Sequence, residues 1–165
     1  MERKCSGFTA IELMTVLAIV AVLATLSVSN FISCRSRYKL REAVTDIFSM
    51  LQNARLRAVK ENSRVVVLFD PDGNGILEGE YIAFVDNGIG GADEWTRQTE
   101  AGEPLVGRGK VPEGVQLSHT SFVHHRLRFD SKGHLMDINR NIYLKNADGL
   151  IRKITVYASG NCRVN

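Results

Sequence analysis

A chain of 165 residues, 44% hydrophobic and 24% charged, has an ordinary globular composition and room for one domain plus an accessory helix. Three cysteines (Cys5, Cys34 and Cys162) do not make a disulfide scaffold, and a net charge of +3 is mild as a total. Its distribution says more: residues 1–7 contribute +1, residues 8–34 contribute −1, residues 35–64 contribute +5 and the remainder −2. A basic band therefore follows an apolar segment directly. That position suits anionic lipid headgroups or acidic neighbours better than a nucleic-acid cleft.

From Phe8 to Cys34 the only charged side chain is Glu12, and no Gly or Pro occurs between Phe8 and Asp70. The run has three readings. One is a secretory signal ending at Val22-Leu23-Ala24. A second is a plain membrane anchor, since the run exceeds the ~20 residues that a bilayer needs. A third is a short leader removed at Gly7, leaving the apolar helix in the mature protein. Glu12 favours the third, because a carboxylate this deep in an apolar helix costs roughly 2.5–3.5 kcal/mol on insertion scales and marks a function. So does Gly7, set between a basic hexapeptide and Phe8, and so does an apolar phase that flows on into an amphipathic pattern.

The string Gly7-Phe8-Thr9-Ala10-Ile11-Glu12-Leu13-Met14 resembles the processing motif of type IV pilins and type II secretion pseudopilins. The resemblance implies that a membrane-embedded peptidase cuts after Gly7 and methylates Phe8 as the new N-terminus. It also implies that Glu12 pairs with the freed amine of an adjacent subunit during assembly. Residues 1–7 are then a leader, residues 8–34 a membrane and assembly segment, and residues 35–165 a periplasmic head. Many major pilins of that family carry a proline at the position of Ser29 and a glycine at that of Ala21, so their absence suggests a straighter helix and a minor subunit. By flanking charge alone, Arg35, Arg37, Lys39 and Arg41 outweigh Arg3 and Lys4 and would place the head in the cytoplasm. The resemblance implies the periplasm, because the peptidase acts at the cytoplasmic face of the inner membrane.

Leu40, Val44, Ile47, Leu51, Ala54 and Ala58 recur at alternating steps of four and three, the stripe of a helix that packs on a sheet. Residues 8–62 are expected to form one helix, about 80 Å long at 1.5 Å per residue. The period then changes. Strands are expected at Arg64–Asp70, Glu80–Asp86, Val115–His119, Arg126–Asp130, Asn141–Lys145 and Arg152–Ala158. Turns at Ser131-Lys132-Gly133 and Ala147-Asp148-Gly149 imply antiparallel hairpins. The glycine-rich stretch 87–114, which holds Pro104 and Pro112, is expected to be a long exposed loop. These strands, with the helical string Leu51-Gln52-Asn53-Ala54-Arg55, are similar to the GspH/FimT family of H-type pseudopilins and minor pilins. That resemblance implies an α+β pilin fold: a long N-terminal helix packed on a β-sandwich-like head of antiparallel sheets. It also implies a place near the fibre tip, serving secretion, pilus assembly or DNA uptake, with other pilins as partners.

Several side-chain sets could carry chemistry. Asp70, Asp72, Asn74 and Glu78 match part of a calcium loop, but position twelve is Tyr81 and no helix flanks it, so a solvated turn is the plainer reading. His119, His124, His125 and His134, with Asp130, fit no zinc spacing. Ser121 and Ser159 lack a nucleophile elbow, and no glycine-rich phosphate loop is present, so no enzyme is expected. Cys34 and Cys162 could bridge in an oxidising periplasm, although two free thiols are favoured. DNA binding is the rival role. The resemblance would place it on basic residues near the C-terminus, where Arg163 is the one candidate, and the β part of the head, residues 65–165 at net −2, attracts phosphate weakly.

Overall fold

The computed structural model describes residues 8–70, 78–86, 88, 97, 102–136 and 138–165, with the backbone alone over 25–33. The chain divides into two compact units, Met1–Arg35 and Ser36–Asn165. One helix, α1, runs from Ala10 to Lys60. It is uninterrupted because the segment holds no glycine or proline. It ends at Asn62, whose positive φ of 48° closes the last turn: Ser63 N–H donates to Ala58 O at 3.1 Å and Asn62 N–H to Val59 O at 3.3 Å.

Among the described residues eight strands follow: β1 (Arg64–Leu68), β2 (Glu80–Asp86), β3 (Leu105–Lys110), β4 (Val115–Thr120), β5 (Arg126–Phe129), β6 (Arg140–Asn146), β7 (Ile151–Val156) and β8 (Cys162–Val164). They form two four-stranded antiparallel sheets, ordered β3-β2-β1-β5 and β4-β6-β7-β8. The stripe Leu40, Val44, Ile47, Leu51, Ala54 and Ala58 is buried in one core with Val65 and Val67 from the first sheet, Phe69 just beyond β1, and Leu144, Ile154 and Val156 from the second sheet. Helix and both sheets thus share one interior, the α+β arrangement expected. β1 is buried on both faces: Val66 and Leu68 point away from this core and join Ile82 and Phe84 in a second small cluster. A run of three valines and a leucine suits such a strand better than alternation does.

One side chain ties the helix to the far ends of the sheets. Arg55 donates from Nε to Gly133 O at 3.1 Å, from Nη1 to Asn161 Oδ1 at 2.8 Å and from Nη2 to Ser159 O at 3.3 Å. It can do so because two turns meet beneath it. Gly133 and Gly160 have φ of +77° and +78°, and a Cβ on Gly160 would lie 1.8 Å from Gly133 O. Higher up, Lys39 Nζ donates to Glu113 O at 2.7 Å.

Three expectations need correction. The helix is two residues shorter at each end than 8–62. Residues 105–110 are a strand, not part of a loop, and β3 forms the edge of the first sheet. Its glycines mark close packing: a Cβ on Gly107 would lie 2.8 Å from Met50 Cε, and one on Gly109 would lie 2.4 Å from the Tyr81 ring. Finally, residues 162–164 form β8, too short for its composition to declare a strand. The turn Ala147-Asp148-Gly149 does join β6 to β7 as a hairpin.

The glycine contacts give a stability prediction for the Ser36–Asn165 unit. Gly149→Ala meets only Lys145 Cε at 4.0 Å and carries backbone strain alone, about 1 kcal/mol. Gly160→Ala carries the same strain plus a collision with backbone, so its loss in urea unfolding is expected to be about 3 kcal/mol or more. Equal losses for the two variants would refute the packing of the two turns.

Candidate functional site

The start of α1 holds the densest chemistry. Phe8 is 84% exposed and precedes the helix; Gly7, its partner at the expected cut, lies outside the described residues. Thr9 occupies the position before the first helical residue, Ala10. Its N–H and hydroxyl both donate to Glu12 Oε2, at 2.9 and 2.8 Å, and its Oγ1 accepts the Glu12 N–H at 3.3 Å. This is a reciprocal capping box, in which Thr9 and Glu12 satisfy backbone donors that the helix leaves open. The carboxylate also sits at the positive end of the helix dipole, where an anion is favoured. Among the described residues Oε1 has no hydrogen-bond partner. The sequence reading found Glu12 but missed Thr9, although threonine three residues before glutamate is the spacing that signals such a box.

Beyond the cap, Ile11, Met14, Leu17, Val20 and Leu23 are all more than half exposed, as are their neighbours on the other sides of the helix. A helix that is apolar all round needs lipid or other helices to cover it. Among the described residues, whose side chains in this segment stop at Ala24, no helix is long and apolar enough to cross a membrane.

The other candidates scatter. Asp70 is buried two residues beyond β1 and Glu78 is exposed, while Asp72 and Asn74 lie outside the described residues, as does most of that loop. His119 lies on β4, exposed, with its ring stacked on Tyr143 at 6.1 Å. His124 and His125 do not sit on a strand: both adopt positive φ (52° and 54°) in the short 3-10 turn before β5. His125 Nδ1 shares a hydrogen bond with Thr120 Oγ1 at 2.8 Å, and His134 Nδ1 stands 3.7 Å from Asp130 Oδ2. Among the described residues no three metal-ligating side chains converge. The carboxylates of Asp86 and Asp130 border a polar cleft with Asn62, Arg64 and Ser131. Both are committed to turns: Asp86 Oδ1 accepts from Gly88 N–H, and Asp130 Oδ1 from Lys132 and His134 N–H. They make caps rather than an acid–base pair.

Arg163 is exposed on β8, opposite Thr155 of β7. Cys34 and Cys162 are both free thiols. Cys162 packs against the main core, and burial pushes its thiol up to about 11, the nearby Arg55 guanidinium countering only in part. A raised folded value means that the protonated thiol stabilises the fold up to the unfolded value, near 9, and that this contribution is lost as pH rises through about 11. Cys162→Ser is therefore expected to flatten the fall in stability between pH 9 and about 11. At pH 8 a maleimide is expected to modify Cys34 well before Cys162, as read by peptide mass. Equal rates would contradict the burial.

Comparison with known proteins comes down on the head. Residues 43–160, more than half of the chain, match the family of type II transport protein GspH. No match is found among curated proteins. The type IV minor pilin FimU of Pseudomonas aeruginosa superposes with a TM-score of 0.56 at 16% identity, over 78% of this chain and 90% of that one. The minor pseudopilin EpsH of the Vibrio cholerae type 2 secretion system gives 0.55 at 13% identity, over 77% and 96%. At these identities the likeness is one of fold. With the family match over residues 43–160, the long helix on two antiparallel sheets identifies the chain as a member of the GspH family of pilin-like proteins.

Proposed function

We propose that this protein is a minor subunit of a type IV pilus or a type II secretion pseudopilus, placed near the tip. It is made as a precursor, cut between Gly7 and Phe8, and methylated on the Phe8 amine by the same peptidase. Residues 8–34 hold it in the inner membrane with its head in the periplasm, and then pack against other subunits in the fibre. It acts as a structural part and catalyses no reaction.

The observation that carries this reading is the state of Glu12. Its carboxylate stands in the first turn of an apolar, exposed helix, with Oε2 held by Thr9. Oε1 is left for an incoming cation. A carboxylate in an apolar layer is poorly tolerated alone, and an ammonium brought beside it relieves the burial of both. The freed amine of a neighbouring Phe8 is a cation at the right end of the right helix. The capping box keeps the carboxylate fixed in place, so little side-chain freedom is lost when the pair forms.

Intact mass and Edman sequencing of the mature protein are expected to show N-methylated Phe8 as the first residue. A chain that begins near Thr25, or one that keeps residues 1–7, would sink the proposal. Glu12→Ala is expected to leave processing largely intact and abolish recovery of the subunit in sheared fibres. Thr9→Val, which removes the hydroxyl half of the cap and costs the helix about 1 kcal/mol, is expected to lower incorporation less severely. Normal incorporation of Glu12→Ala would remove the charge pairing.

A further inference from the structure

The second sheet turns alternate residues away from the core. On β6 and β7, Ile142, Leu144, Ile154 and Val156 are fully buried, which leaves Tyr143, Lys145 and Lys153 on the opposite face. The register sets Lys153 directly beside Tyr143, Lys145 beside Ile151 and Arg163 beside Thr155. Lys145, Lys153 and Arg163 therefore run diagonally across three adjoining strands, at steps of roughly 8 Å given the strand spacing and a two-residue advance. Next to them lies the stacked pair His119 and Tyr143, and Ile151 is 53% exposed. No Asp or Glu occupies any strand of this sheet. None of the three cations forms an ion pair with a described residue. The first sheet differs, since its Lys110 and Arg108 stand 3.0 and 3.8 Å from Glu80.

We propose that this face docks the acidic surface of a different subunit in the same fibre, an inference that rests on the fibre reading above. Charge complementarity selects the partner's chemistry, and the aromatic and apolar side chains set among the cations, Tyr143 and Ile151, select a protein. Tyr143 and Arg163 are residue types enriched in protein interfaces, and Ile151 adds apolar contact between the cations. The face is also stiff: Thr155 Oγ1 donates to Asn141 Oδ1 at 2.9 Å across β6 and β7. A preformed surface loses little freedom on docking.

The test uses the full chain, expressed with the other pilins of its fibre and carrying a photo-crosslinking amino acid at Gln116, which lies opposite Lys145. The expected product is an adduct with one other subunit, mapped by mass spectrometry to a segment rich in Asp or Glu. Lys145→Glu together with Lys153→Glu is expected to cut its yield at least about tenfold, and reversing the partner's acidic residues to restore it. For the unsubstituted protein, raising salt from about 0.05 to 0.5 M in isolated envelopes is expected to lower the yield as well, whatever the variants do to folding. An adduct indifferent to charge and salt, an adduct only with nucleic acid or lipid, or no adduct overturns the inference. Fibre recovery and the Phe8 start are scored in the same cells. If both are absent the fibre reading fails; if both are present without a charge-sensitive adduct, only the docking face fails.

Discussion

The Arg55 guanidinium joins parts of the head that no sheet connects. It leaves the helix one turn before its end and binds two carbonyls and an amide oxygen on two separate turns. Both turns belong to the distal end of the sheets, and they touch through glycines that leave no room for a side chain. The planar fork of an arginine suits three acceptors spread over an arc, which a lysine could not reach at once. With this clamp in place the helix stripe meets both sheets along its whole amphipathic half. Beside it Leu135 N–H donates to Ala158 O at 3.0 Å, so one side chain and one backbone bond hold the two turns together.

The sequence carried the helix clearly and the strands well. Absence of glycine and proline, a stripe of period 3.6 and the switch to β-branched runs at Arg64 are local signals, and local signals survive without knowledge of the fold. What was hidden is nonlocal. β3 reads as loop because Gly107 and Gly109 are poor strand residues by composition. The Tyr81 ring, on β2, leaves no room for a side chain at position 109, and the end of Met50, on the helix, lies against position 107. Nothing within residues 105–110 records those neighbours. β8 was missed for a related reason, as three residues hold a strand only by virtue of the β7 edge beside them. The turn at the histidine pair is not legible either, because left-handed backbone at His124 and His125 is uncommon for such residues and has no sequence mark.

At the candidate site the balance is similar. Glu12 stood out by its chemistry, a charge where none belongs. Its relation to Thr9 was legible too, since it depends on a three-residue spacing. The grouping of Lys145, Lys153 and Arg163 was not. Counted over residues 65–165, their charge vanishes into a net −2, which made the head look indifferent to anions. Strand alternation and register then sort the same residues onto one face, and the sum stops being informative. Charge acts at the scale of a Debye length, about 10 Å, rather than that of a domain.

The close fit of Gly107 against Met50 reaches beyond the single chain. A strand edge that another element's side chain indents can accept a larger residue only if that side chain swings aside or shrinks. Positions 50 and 107 should therefore drift together through the history of this lineage, a bulkier residue at one accompanied by a smaller residue at the other. Neither position would reveal this alone. Across fifty-odd residues of intervening chain, the pair behaves as one unit of inherited volume.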